Sequence, residues 1–201
     1  MTAASTVPSV DDVQKFHGHM CLGLALGYRV AIEGLAELGV ARSEDEELVA
    51  VVENDSCAVD AIQVVLGCTF GKGNLVFRDW GRRVYTFYSR HRETGVRVSE
   101  HYNGFADDPE WAALRERAAA GDESPETREA LATRTEAHIR AILNGPRDAV
   151  LTVSSVPFDP PAMAQIESSE PCEACGEPTM ASRLVEHGGR RICRACVPAG
   201  G

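Results

Sequence analysis

Two Cys-x-x-Cys pairs lie near the end of the chain, Cys172 with Cys175 and Cys193 with Cys196. Seventeen residues separate the pairs, a spacing at which two turns can donate four thiolates to one tetrahedral ion. The segment between them is polar, so this tail has few apolar side chains with which to fold without an ion. We therefore predict one structural zinc ion in a stabilising or docking module. A redox role for either pair is the competing interpretation.

A second group of metal-binding residue types occupies alternate positions near the start of the chain, at His17, His19 and Cys21. In an extended segment all three side chains would point the same way. Imidazole and thiolate groups suit Zn, Ni, Cu or Fe, and Gly18 lets the backbone bend around an ion. Histidines are also often held by structural hydrogen bonds, so the spacing alone leaves a metal site and ordinary packing equally open.

Cys57 falls in the first turn of a predicted helix, where unpaired amides and the helix dipole lower a thiol pKa. Asp60 shares that helix face and could hydrogen-bond a ligand histidine or join the ligands, so Cys57 and Asp60 are the catalytic candidates. Cys68 would lie roughly 16 Å along an unbroken helix, at about 1.5 Å per residue. It is therefore interpreted as a buried thiol or a neighbour of the ligands.

The run Gly71-Lys72-Gly73-Asn74 could offer amides and an ammonium group to an anion. It lacks the full phosphate-loop pattern and precedes a strand, so a tight turn is favoured, with Lys72 a candidate neighbour of the metal site. The remaining histidines have no partner motif and are interpreted as surface or packing residues: His91, His101, His138 and His187.

The elements that must position these residues follow from the hydrophobic pattern. Leu22–Leu38 is predicted as a buried helix, and Gly23, Gly27 and Gly34 indicate that another backbone packs closely against it. A strand at 47–53 leads into the helix at 57–66. The other predicted elements are a hairpin of 75–80 with 84–88, strands at 96–101 and 149–153, and an exposed helical pair between 109 and 143.

Composition places the chain among ordinary globular proteins, with 44% hydrophobic and 25% charged residues in 201. We predict a core domain at 1–160, a linker at 161–169 and a zinc finger at 170–201. The formal charge is −10, and residues 170–201 contain four acidic and four basic side chains, so the core carries the excess. Such a core should repel nucleic acid and anionic membranes. Seven cysteines, and a start unlike a secretory signal, predict a cytoplasmic protein.

Two blocks of sequence, FHGHMCLGLALGYR and ENDSCAVDAIQVVLGCTFGKGNLVFRDWG, resemble the FmdE family of formylmethanofuran dehydrogenase proteins, as does the four-cysteine tail. The resemblance covers essentially the whole chain, although Leu22 stands where the family pattern usually has proline. It implies an α+β core domain with a Cys/His metal cleft and an auxiliary treble-clef zinc finger. With the glycine pattern, it also predicts a homodimer. The residues in matching motif positions are His17, His19, Cys21, Cys57, Asp60 and Cys68.

Two functions follow from this resemblance. In the first, the protein is an enzyme or enzyme subunit related to molybdenum or tungsten formylmethanofuran dehydrogenase. Its core would bind a transition metal ion (Zn, Ni or Fe) through His17, His19, Cys21 and Cys57, with one coordination position open to a substrate or water. The alternative is a non-catalytic metallochaperone or assembly factor for a partner metalloenzyme, which a closed four-ligand site would favour. Oxidoreductase activity is implied by the resemblance alone, since the cysteines are too few for an iron–sulfur cluster beside the tail zinc.

Overall fold

The computed structural model describes residues 7–198. The chain divides into two compact units, of which the first runs to Met163 and the second begins at Ala164. Within residues 7–198, no helix is long and apolar enough to cross a membrane.

Five strands form one sheet in the first unit. In chain order they are β1 (Leu48–Val52), β2 (Leu75–Phe77), β3 (Val84–Ser89), β4 (Thr94–Glu100) and β5 (Leu151–Val156). Across the sheet the order is β2-β1-β3-β4-β5, with β1 and β2 parallel and the other neighbours antiparallel. Every residue of β1 is buried, so both faces of this strand are covered.

The predicted hairpin of 75–80 with 84–88 is wrong. β1 lies between these two segments and pairs with both, parallel to β2 and antiparallel to β3. The connection between them crosses the end of β1, where Arg78 N–H donates to the carbonyl of Val52 and Arg82 N–H to that of Glu53. A wholly buried strand must pair its amides on both edges, and this requirement outweighs the turn signal at Gly81.

Five helices complete the first unit: α1 (Val10–His17), α2 (Leu22–Leu38), α3 (Ala58–Leu66), α4 (Pro109–Ala119) and α5 (Pro125–Asn144). The predicted helices at Leu22–Leu38 and 57–66 are confirmed, as is the mixed α+β class. Side chains of α2, α3 and the sheet share one hydrophobic core. The predicted exposure of the last two helices is only partly right, because α5 inserts the fully buried Ile142 into that core.

The close backbone approach predicted from the glycines occurs within the chain. A Cβ added to Gly27 would lie 2.4 Å from the Cα and carbonyl oxygen of Ala58 in α3. Gly34 similarly faces the ring of Phe87, and Gly23 faces the Cβ of Cys57. These contacts account for the glycine pattern without a second chain, so the homodimer stays a prediction that the glycines no longer support.

Replacing Gly27 with Ala should lower the free energy of unfolding by about 3 kcal/mol, because the methyl group must push α2 and α3 apart. Chemical denaturation would measure the loss. Gly71→Ala is the matched control, since an added Cβ there meets nothing within 4 Å. Equal stability of the two variants would contradict the close contact.

The second unit consists of two β-hairpins. β6 (Ser169–Pro171) pairs with β7 (Pro178–Met180), and β8 (Leu184–His187) pairs with β9 (Arg190–Cys193), followed by a short 3₁₀ turn at Arg194–Cys196. Its buried apolar side chains, within the described residues, are Cys172 and Ile192. So small an apolar interior makes a bound ion the main candidate for holding the hairpins together.

Candidate metal centres

The first candidate centre lies where α2 and α3 begin. Cys21 is the N-cap of α2, and its Sγ accepts the N–H of Leu24 at 3.4 Å. Cys57 is the N-cap of α3 and makes no such bond. Both thiols therefore lie at the positive ends of helices, where a thiolate and its metal ion would find stabilising amides.

His17 and His19 reach the same place through a turn. His17 is the last residue of α1, and Gly18 ends that helix in the left-handed conformation with φ 96°. The alternate spacing in an extended segment is therefore not what gathers these residues, yet the side chains converge. One ligand atom from each of His17, His19 and Cys21 lies within 4.8 Å of the others, and His17 Nε2 is 3.8 Å from Cys21 Sγ.

Asp60 fixes the orientation of His17. Its Oδ2 lies 2.7 Å from His17 Nδ1, so the hydrogen bond predicted between Asp60 and a histidine is present. A carboxylate that accepts the Nδ1 proton leaves the lone pair on Nε2, the atom that faces Cys21. Such a carboxylate–imidazole pair is common behind metal ligands.

The pKa of Cys57 differs from the expectation. Desolvation of the thiol, followed by its hydrogen bond with Cys21, raises the pKa of Cys57, whereas the helix start was expected to lower it. Desolvation, together with the neighbouring thiol, outweighs the backbone hydrogen bond that lowers this pKa. Cys57 and His19 are both exposed, so the cluster opens to solvent.

Cys68 and Lys72 lie away from this cluster. Cys68 is fully buried after the C-terminal end of α3, and burial raises its pKa to about 12. The Nζ of Lys72 donates to the carbonyls of Glu44 and Asp45, and Gly73 N–H closes a turn on Phe70. The predicted turn at 71–74 is therefore confirmed. The nine residues of α3 separate its C-terminal end, near Cys68, from Cys57 by about 13 Å.

A cavity of about 490 Å³ is lined by chain neighbours of the two thiols, although neither Cys21 nor Cys57 is itself among the lining residues. Its wall includes Leu22 and Gly23, which follow Cys21, and Ser56, which precedes Cys57. Five further lining residues were not predicted from the sequence, and they come from separate parts of the chain: Arg83, Glu100, Phe105, Trp111 and Arg115. No local motif joins these residues, and the one available signal was the presence of large apolar side chains between 102 and 114 in an otherwise polar stretch.

The second candidate centre is formed by Cys172, Cys175, Cys193 and Cys196, whose sulfur atoms all lie within 4.8 Å of one another. Cys172 Sγ accepts the N–H groups of Ala174 at 3.4 Å and Cys193 at 3.2 Å. Backbone amides, with that of Cys175 first, lower the pKa of Cys172 to about 6. The hydrogen bond with Cys193 raises the pKa of Cys196 to about 12. This four-cysteine group could hold a metal ion; the treble-clef type stays a prediction.

Three comparisons bear on the chain. A family model described as "FmdE, Molybdenum formylmethanofuran dehydrogenase operon" matches residues 16–152. A probable S-adenosyl-L-methionine-binding protein of Archaeoglobus fulgidus is 30% identical over 190 residues, which cover 91% of this chain and 50% of that protein. The chain thus spans about half the length of the curated relative that it matches.

The third comparison is with a solved structure. The crystal structure of a tungsten formylmethanofuran dehydrogenase FmdE-like protein from Syntrophus aciditrophicus matches with a TM-score of 0.58 at 21% identity. The match covers 97% of this chain and 96% of that one. At this identity, the likeness establishes the fold.

Proposed function

The chain belongs to the FmdE family, and from this premise we propose that it is a metal-dependent enzyme or enzyme subunit with one transition metal ion in its core domain. The observation that carries the proposal is the meeting of His17, His19 and Cys21 at the start of α2, with the Cys57 thiol of α3 hydrogen-bonded to Cys21. The ligands would be His17, His19, Cys21 and Cys57. These donor types suit Zn, Ni or Fe.

The residues around the ligands have definable tasks. Asp60 holds His17 by its Nδ1 atom, which keeps Nε2 available and limits rotation of the ring. Cys57 is exposed and directly follows Ser56, a residue of the cavity lining. A bound ion would supply Lewis-acid chemistry to a small molecule in that cavity. Kinship with the molybdenum and tungsten formylmethanofuran dehydrogenases makes an oxidoreductase, or a subunit of one, the favoured class.

One observation favours the alternative of a metallochaperone. A closed four-ligand site was the feature expected of a metallochaperone, whereas His19 and Cys57 are exposed. This exposure would instead let ligands of a partner protein reach the ion and take it over. Exchange of this kind requires an accessible ion that leaves quickly. An enzyme would retain its ion while small molecules come and go, so the rate of metal loss distinguishes the two functions.

The metal content of the full chain tests the proposal. We expect about two ions per chain in the parent protein, one at each centre, and about one in Cys57→Ser and in His19→Ala. Elemental analysis after desalting would measure this, with Cys68→Ala as a control that removes a cysteine outside both centres. Two ions per chain in both variants would show that the cleft is ordinary packing. Rapid transfer to a competing chelator would support the chaperone instead.

A further inference from the structure

The cavity of about 490 Å³ is lined by both apolar and charged side chains. Leu22 and Leu26 of α2 form part of the apolar wall, together with Phe105 and Trp111. The rings of Phe105 and Trp111 stack with centroids 4.9 Å apart and an interplanar angle of 20°. A volume of about 490 Å³ with such a wall suits a small organic molecule with a flat, apolar body.

Two cations face the same space. Arg83 follows the turn before β3, and Arg115 lies on α4 with its Cζ 4.9 Å from the centre of the Trp111 ring. Neither guanidinium group forms an ion pair with any carboxylate of residues 7–198. Both side chains are exposed, so the N–H donors of both guanidinium groups are available to a ligand in the cavity.

The lining also contains two acidic residues. Glu100 Oε1 accepts the hydroxyl of Tyr85 at 2.8 Å, so one of its oxygen atoms is already engaged. Burial raises the pKa of Glu100, while the hydrogen bond from Tyr85 and the charge of Arg83 act in the opposite direction. Asp55 is exposed like the two arginines, so water screens its charge.

We infer that this cavity binds a small organic carboxylate with a planar apolar body, whose anionic group is held by Arg83 and Arg115 beside the Phe105–Trp111 wall. Guanidinium groups match carboxylates in geometry and charge, and the apolar wall takes the rest of the molecule. The inference adds a ligand class to the proposed function, and it rests on that proposal only where the bound carboxylate would react at the metal ion. Binding itself requires only the cavity.

Benzoate is the probe, and Trp111 is the reporter. The chain has two tryptophans, so Trp80→Phe leaves Trp111 as the single fluorophore in the cavity wall. Benzoate should change its fluorescence saturably, and benzamide, the neutral analogue of similar shape, should bind at least about tenfold more weakly. Arg83→Gln and Arg115→Gln, each in the Trp80→Phe chain, should each weaken benzoate binding about tenfold.

Arg97→Gln is the matched control. Arg97 lies on β4 three residues before Glu100, so its side chain points to the opposite face of the sheet. Its removal should leave benzoate binding unchanged, and thermal unfolding should show that all variants are folded. Absence of saturable binding, equal affinity for benzamide, or unchanged affinity in both Arg83→Gln and Arg115→Gln would overturn the inference.

The benzoate titration and the elemental analysis of the same protein together separate this inference from the proposed function. If the parent chain contains the core metal but binds no benzoate, the cavity inference fails alone. If it binds benzoate with the expected charge preference but contains no core metal, the metal-dependent function fails alone. Benzoate binding that persists in Cys57→Ser would support a pocket formed independently of the ion.

Discussion

Cys193→Ser is expected to remove about one zinc ion per chain and to unfold the second unit while the first unit stays folded. Cys172 and Ile192 are the buried apolar residues of this unit within the described chain, so hydrophobic burial contributes little to its stability. The four sulfur atoms lie within 4.8 Å of one another, and their bonds to one ion would hold the unit together in place of an apolar core. Binding of a structural zinc ion contributes about 10–16 kcal/mol to the folding free energy of small modules, and a unit with so small an apolar interior would not stay folded without it.

Zinc content and limited proteolysis would measure this effect. Cys193→Ser should expose the second unit to cleavage, and chelation of the parent protein should do the same. Cys57→Ser is the control, because it removes a cysteine from the other centre and should leave the second unit resistant to protease. Full zinc content together with unchanged resistance in Cys193→Ser would refute the assignment.

Arg29→Met is expected to lower the free energy of unfolding by about 3–5 kcal/mol. The side chain of Arg29 is almost buried between α2 and the end of α5. Its Nη1 lies 2.8 Å from the carbonyl oxygen of Ile142 and 3.0 Å from those of Leu143 and Gly145. Methionine would keep much of the volume but leave the last carbonyls of α5 without this donor, and Glu33 without its closest cation.

Chemical denaturation would measure the loss at Arg29, and two further variants would identify its cause. Arg29→Lys should recover part of the stability, because lysine keeps the positive charge. The recovery should be incomplete, because an ammonium group has fewer N–H donors than a guanidinium group. Arg147→Met should cost less than about 1 kcal/mol, since Arg147 is half-exposed and pairs with Glu33 and Glu37 only at 3.9 and 3.6 Å. Equal losses for Arg29→Met and Arg147→Met would show that the buried contacts contribute no special stability.

The sequence predicted those parts of the protein that depend on local pattern. The helix at Leu22–Leu38 follows from its apolar spacing and from Gly39, which ends it in the left-handed conformation. The four-cysteine group follows from the spacing of its two pairs, because each pair forms its own turn. His17, His19 and Cys21 could be named together because they are close neighbours in the chain.

Features that depend on pairing and packing between distant segments could not be predicted. The position of β1 between β2 and β3 depends on which edges remain unpaired once the sheet assembles, while the turn at Gly81 is equally suited to a hairpin. The burial of α5 likewise depends on Arg29, a residue more than one hundred positions earlier.

The sequence by itself determined which side chains could bind a metal ion, and the tertiary structure decided how they act together. Packing of Gly27 against Ala58 brings the starts of α2 and α3 together, so that Cys57 meets Cys21 and its pKa rises instead of falling. The fold also brings Arg83 and Arg115 to one cavity, although no motif connects them. Whether a side chain can bind a metal ion depends on its residue type alone. Its pKa and its burial depend on neighbouring groups that only folding brings close.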